Sequence, residues 1–294
     1  MTVPNGPRLA ATDDAGVTTA DQWREALAEH TAPAIALDVG RLVVVAPHPD
    51  DEVLGLGATM AARSAARSTS RRPDSPHVPD SPDSPGVADS LDSPDPLDVV
   101  VCVSDGSASH PGEVAPEVMR GRRQAECEAG ARELGIDLRM LGLPDGGLNA
   151  ADVDAALHPV LDELAPATVA VTWSGDGHPD HHVCVESVRR WCGARDGVAL
   201  LEFPVWMWHW ARPGDPDVPW ERLRRVAMPR SESAAAIDVL TEDITADAFD
   251  HKRRALAAHA SQLTPQSDAP DATVILPPAV VERFFLGDEW VFTP

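Results

Sequence analysis

Tyrosine is absent from this 294-residue chain, and lysine occurs once, at position 252. Without tyrosine, no phenol can act as a proton donor anywhere in the molecule. The single lysine is followed by Arg253 and Arg254, so it is expected on an exposed helix face, which disfavours Schiff-base chemistry. Cysteine is also sparse. Cys102, Cys127, Cys184 and Cys192 form no Cys-x-x-Cys pair, a usage that suits a reducing compartment. Cys102 sits inside an apolar run and reads as a core residue. Cys184, three positions after His181, reads as a packed helix thiol. Basic charge is outweighed throughout: the formal net charge of −23 argues against a nucleic-acid or anionic-membrane partner, since both need basic patches. No apolar run reaches the ~20 residues of a membrane helix. The opening Met-Thr-Val-Pro-Asn-Gly-Pro has no apolar signal core, so a cytoplasmic location is expected.

What is present is an alternation. Segments at 41–46, 98–104, 137–142, 167–173 and 198–205 read as strands, the first, second and fourth as apolar runs. Helices are expected between them at 52–66, 115–134, 151–164 and 181–192. An earlier helix, opened by the capping box Thr19-Ala20-Asp21-Gln22, runs through Glu29. This order predicts an α/β fold of three-layer, Rossmann-like form, with a mostly parallel sheet covered by helices on both faces. Beyond Arg222 the pattern is mixed. A strand is expected at Ala235–Leu240, then a helix from Ala246 to Gln262, then a tail from Val274 to Phe292 that packs back on the body.

Residues 1–18 and an insert at about 68–97 are expected to be disordered, leaving 19–294 as one domain. The insert repeats Asp-Ser-Pro at 74–76, 80–82, 83–85 and 92–94, a density of proline and like charge that cannot build a packed core. Residues 73–98 hold seven Asp and no Lys or Arg. Without them the net charge is still −16, so the acidity belongs mostly to the folded part.

Two clusters carry the chemistry. His48-Pro49-Asp50-Asp51-Glu52 follows the first expected strand, and His178-Pro179-Asp180-His181 follows the fourth. Parallel α/β sheets gather their sites at strand ends, so the two turns are expected to converge on one metal ion. A catalytic zinc or ferrous site takes about three His and Asp/Glu ligands and keeps a position open for water. His48, Asp51 and His181 offer two imidazoles and a carboxylate. Asp50 is placed to take a proton from water, and His178 to donate to an oxyanion and then to a leaving amine. Acidic surroundings are expected to keep His178 protonated. Arg123 is a candidate substrate contact, although its i,i+3 spacing to Glu126 also suits a local ion pair. Val205-Trp206-Met207-Trp208-His209-Trp210 leaves the fifth strand directly. Trp206 and Trp208 are therefore candidates for stacking on a sugar face or an acyl tail. Asp145, in Leu143-Pro144-Asp145-Gly146, is a candidate for sugar hydroxyls.

With its surroundings, this pair of motifs resembles the LmbE-like, or PIG-L, family of metal-dependent de-N-acetylases. Ser104–Gly112, Leu141–Leu148 and Ala257–Gln262 fit the likeness, which runs from about residue 41 to 265. The resemblance implies a single LmbE-like deacetylase domain with His48, Asp51 and His181 as metal ligands and Asp50 as general base. It implies that His178 assists the tetrahedral intermediate and that Asp180 orients the metal site from behind. One departure stands out. Some members have a tyrosine two residues before the second motif's first histidine, where it polarises the amide; this chain has Asp176. Oxyanion stabilisation would then rest on the metal and His178. Zinc is the implied cofactor, with iron as the alternative in vivo. The implied partner is a small molecule with an N-acyl amino sugar, such as an N-acetylglucosamine conjugate or a secondary metabolite. An amidase for a larger acyl group or a thiol conjugate is the alternative, and a homo-oligomer is open.

Other chemistries fit less well. A metal-dependent phosphoesterase would need Lys or Arg to balance phosphate charge, and none flanks either motif. Gly55-Leu56-Gly57 hints at a dinucleotide fingerprint, but Met60 stands where its third glycine belongs and the acids at 50–52 repel a pyrophosphate. Every proposed ligand and the base are present, which argues against an inactive binding module.

Overall fold

The structure, a computed structural model, describes residues 17–37, 40–70, 97–228, 239–269, 272 and 274–294. Its strands are β1 (Ile35–Ala36), β2 (Leu42–Ala46), β3 (Val99–Ser104), β4 (Asp137–Leu143), β5 (Thr168–Thr172), β6 (Ala199–Phe203), β7 (Leu223–Ala227) and β8 (Trp290–Phe292). They form one sheet in the order β1-β7-β8-β6-β5-β2-β3-β4. All neighbours are parallel except β8, which runs antiparallel between β6 and β7. The helices are α1 (Ala20–Ala28), α2 (Asp51–Ser70), α3 (Pro116–Leu134), α4 (Ala150–Leu164), α5 (Pro179–Gly193), α6 (Met207–Trp210), α7 (Val239–Ala258), α8 (Ala260–Leu263) and α9 (Pro278–Val281).

The period-two geometry of a strand sends alternate side chains to opposite faces, and here both faces are apolar. Leu42, Val44 and Ala46 of β2 enter a core built with α1, α2 and α7, while Val43 and Val45 enter a second core under α4 and α5. In α4, Val153, Leu157, Leu161 and Leu164 repeat at helical spacing and face that second core. Each such side chain contributes about 1.5–3 kcal/mol when fully buried. Strands buried on both faces read as continuous apolar runs, as β2, β3 and β5 do in the sequence.

The chain works outward from β2 through β3 to β4, then returns to β5 on the other side of β2. The C-terminal ends of β2 and β5 therefore flank the point where strand order reverses, the place where open α/β sheets form a crevice. No helix among the described residues is long and apolar enough to cross a membrane.

Several expectations need correction. Residues 1–16 and 71–96 lie outside the described residues, but Ser68–Ser70, expected at the start of the insert, continue α2. Thr18, expected in a disordered end, is buried and donates to Ala211 O at 3.0 Å. Asp98 is buried too, paired with Arg63 at 2.7 Å and with Arg67. Most of the strand expected at Ala235–Leu240 lies outside the described residues, and its positions 239 and 240 open α7.

Lys252 is not on an exposed face. It is 1% exposed, and its Nζ donates to Leu54 O and to Glu289 Oε1, both at 2.8 Å. Its arginine neighbours in sequence occupy other faces of the helix, so their exposure says nothing about its own. Glu289 has a second task. Leu56, at φ −133°, breaks α2, and the Glu289 carboxylate receives the N–H groups of Ala58 at 2.9 Å and Thr59 at 2.8 Å just beyond the break. Gly55 belongs to the same device, because a Cβ there would collide with the Phe203 ring.

Candidate metal centre and active site

The two motif turns leave adjacent parallel strands. His48 lies between β2 and α2, and Asp51 is the first residue of α2. His178 is the N-cap of α5, with Pro179 at the first helical position, so Asp180 and His181 fall in the first turn. The rings of His48, His178 and His181 gather with centroids 4.6–5.4 Å apart. Asp51 is the hinge between the turns: its Oδ2 is 3.2 Å from His48 Nδ1 and 3.3 Å from His181 Nε2.

The far nitrogen of each ring is also held. His48 Nε2 is 3.2 Å from Asp180 Oδ2 and 3.3 Å from Asp145 Oδ1. His181 Nδ1 is 2.8 Å from Asp176 Oδ2. These outer acids are themselves fixed by backbone. Asp180 accepts from the N–H groups of Gly146 and Leu148, both at 3.1 Å, and Asp145 from that of Ala108 at 2.9 Å. A carboxylate–histidine pair behind a ligand is the usual outer layer of a metal site.

Whether these residues suit a metal is tested by His181 Nε2, which is buried, makes no hydrogen bond and faces the Asp51 carboxylate. A lone pair left unused there suits a cation. The titration directions agree. Burial opposes charge on both imidazoles, yet the neighbouring acids raise His48 well above its ordinary value and His181 to about 9. Burial likewise opposes ionisation of Asp51, but the imidazoles hold its carboxyl far below the usual range. Groups that draw protons onto two rings facing one carboxylate also draw a cation, which would displace those protons. Two imidazole nitrogens and one carboxylate oxygen are a donor set for zinc or ferrous iron.

Asp50 adopts φ 131°, a backbone state that costs a non-glycine residue about 1–3 kcal/mol and clusters at functional sites. It is held on several sides. Leu54 N–H donates to its carbonyl at 2.9 Å, its own N–H reaches Glu52 Oε2 at 3.2 Å, and Arg123 lies 3.1 Å from its Oδ2. Burial raises the Asp50 carboxyl to about 6 against the pull of the Arg123 guanidinium. Glu52 is raised further, to about 8, by burial and by Asp50, so it is protonated at neutral pH.

His178 differs from expectation. Burial, together with positive charge on His181 and His48, pushes it down to about 3, so the ring is neutral at working pH. Its Nδ1 accepts the Asp180 N–H at 3.1 Å, which places the ring proton on Nε2. The nearby acids do not reverse this, because the two other imidazoles are closer to it in effect.

The remaining candidates separate. Asp145 is in the cluster, against His48. Arg123 is only 2% exposed and faces Asp50 and Glu126, also reaching the Pro49 carbonyl. It braces the Asp50 carboxylate and presents almost no surface to solvent. Trp208 is 5% exposed and packs edge-on against Trp23 at 5.1 Å in the core. The short α6 turns its ring inward, whereas Trp206 is half-buried. In the sequence Asp176 stands out only as the residue in place of the tyrosine. Its wholly buried carboxylate serves His181 and three backbone N–H groups of the segment after β6. Its backbone partners come 29 to 31 residues later, so nothing in the local sequence points to them.

Comparison with known proteins fits this site. Residues 91–192 match the PIG-L family, described as GlcNAc-PI de-N-acetylase. That span holds the second motif, and His48–Glu52 precedes it. The chain is 28% identical over 155 residues to a probable N-acetyl-alpha-D-glucosaminyl L-malate deacetylase 2 of Bacillus cereus, covering 51% of this chain and 60% of that protein. It is 27% identical over 158 residues to the protein of the same name in Bacillus subtilis, covering 51% and 59%. The chain thus spans less than two thirds of the length of these curated relatives. Among solved structures, a conserved protein of Thermus thermophilus shares the fold at a TM-score of 0.50 and 21% identity, over 86% of this chain and 92% of that one.

Proposed function

We propose that this chain is a metal-dependent hydrolase that removes the acetyl group from the nitrogen of a small molecule containing N-acetylglucosamine. The observation that carries the reading is the convergence of two turns from adjacent strands on the Asp51 carboxylate, with His48 Nδ1 at 3.2 Å and His181 Nε2 at 3.3 Å, and Asp50 beside it. The names of the curated relatives support the substrate class. Zinc is the metal we infer; held by His48, Asp51 and His181, it would supply Lewis acidity toward the amide carbonyl and the attacking water.

The chain's own groups supply the rest. Asp50, ionised above about pH 6, takes a proton from the water that attacks the amide carbon. Arg123 keeps that carboxylate turned toward the site. Neutral His178, with its proton on Nε2, donates a hydrogen bond to the oxygen that gains charge. A neutral imidazole is too weak an acid to protonate an amine, so the departing nitrogen receives its proton from Asp50 as the C–N bond breaks. One carboxylate then acts first as base and then as acid. The arginine nearest the base is already paired with Asp50, which favours a neutral amide over a phosphate ester. Zinc-loaded protein should release acetate and a free amine in equal amounts from N-acetylglucosamine conjugates. Release of phosphate from phosphoester analogues, with no acetate from any conjugate, would overturn the reading.

A further inference from the structure

Asp176 accepts four hydrogen bonds while fully buried. Oδ2 takes His181 Nδ1 at 2.8 Å and Trp206 N at 2.9 Å; Oδ1 takes Val205 N at 3.0 Å and Met207 N at 2.8 Å. Its backbone carbonyl accepts Trp210 Nε1 at 3.0 Å. An ionised carboxylate offers about four acceptor directions and no donor, so this one is fully used.

We propose that Asp176 is a positioning residue that sets the metal ligand and the Trp206–Trp210 segment together. Because its carboxylate only accepts, His181 must carry its proton on Nδ1 and turn the lone pair of Nε2 toward Asp51. The same two oxygens gather three successive backbone N–H groups, fixing the turn that carries half-buried Trp206. Ligand and segment therefore share one anchor, and neither can shift without loosening the other. The inference rests on the reading of His181 as a metal ligand, not on which amide is cleaved. It also explains why no phenol is needed here: the position is sunk beneath the site and occupied with orienting it.

The test uses the whole chain, loaded with zinc. Nitrogen-15 NMR of wild-type protein should show a His181 Nδ1–H proton at low field, in slow exchange with water. Asp176→Asn keeps the shape but replaces one acceptor with an N–H donor facing other N–H groups. It should lose that signal, bind zinc about 10–100-fold more weakly in chelator competition, and change tryptophan emission. A wild-type His181 that carries its proton on Nε2 overturns the proposal, as does a variant with wild-type zinc affinity and unchanged emission. If the variant does not fold, the wild-type spectrum decides alone. Zinc-loaded protein with the Nδ1–H signal but no acetate release would sink the proposed reaction and leave this assignment standing.

Discussion

The turn after β2 and the turn after β5 meet at the same carboxylate but are built in opposite ways. The first is strained, with Asp50 at φ 131°. The outer nitrogen of its histidine is held by acids from elsewhere, Asp145 after β4 and Asp180 on α5. The second is a relaxed helix start whose histidine is held by Asp176, five residues earlier on the same turn. Their charges differ as well: burial pushes the acid of the first turn up to about 6 and the imidazole of the second down to about 3. The contrast divides the labour. Under the proposed function, proton movement would belong to the first turn and fixed hydrogen-bond donation to the second.

The largest expected effect tests whether both turns bind metal. His48→Ala and His181→Ala should each take zinc from about one equivalent per chain to almost none, read by elemental analysis. Full zinc in the first variant and none in the second would leave the metal to one turn alone. Next comes Asp50→Asn, which should lower turnover by about a thousandfold with zinc retained, within the range for lost acid–base catalysis. In the wild type only ionised Asp50 can accept a proton, so kcat/KM should fall as pH drops through about 6. A flat profile there would move the base elsewhere.

His178→Ala should cost about a hundredfold, as expected for one lost oxyanion donor, with zinc affinity unchanged. The acid limb near pH 6 should persist, since it belongs to Asp50; its disappearance would mean that His178 is the titrating group. The smallest effect falls on the acid behind His48. Asp180→Asn should weaken zinc about tenfold, because Asp145 still faces His48 Nε2. A loss equal to that of Asp176→Asn would show that both histidines depend on one acid apiece.

Much of this was legible in the sequence for a physical reason. β2, β3 and β5 are buried on both faces and read as unbroken apolar runs, and each motif sits directly after one of them; the edge strand β4 alternates exposed and half-buried residues. β1, β7 and β8 left no such trace: two span two or three residues, and β7 alternates buried Leu223 and Val226 with more exposed arginines. The donors themselves could be named because their residue types are rare in apolar surroundings. Of their supports, Asp180 is implied by the resemblance, whereas Asp145 and Arg123 read as substrate contacts and the N–H groups at 205–207 leave no signal, because they reach the site from distant parts of the chain. Lys252 and His178 depart from expectation for one reason: their sequence neighbours suggest one environment and the fold supplies another.

The Glu289 contact with the broken helix has a consequence for biosynthesis. Ala58 and the glutamate that satisfies its N–H are 231 residues apart, and translation adds about 5–20 residues per second. For roughly 12–46 s at that rate, the nascent helix that begins at Asp51 has no partner for the amides at its break. The turn at His48–Glu52 therefore matures late, after synthesis has passed residue 289. A nascent chain stalled short of that point should be protease-sensitive across α2, however complete its β2–β6 sheet.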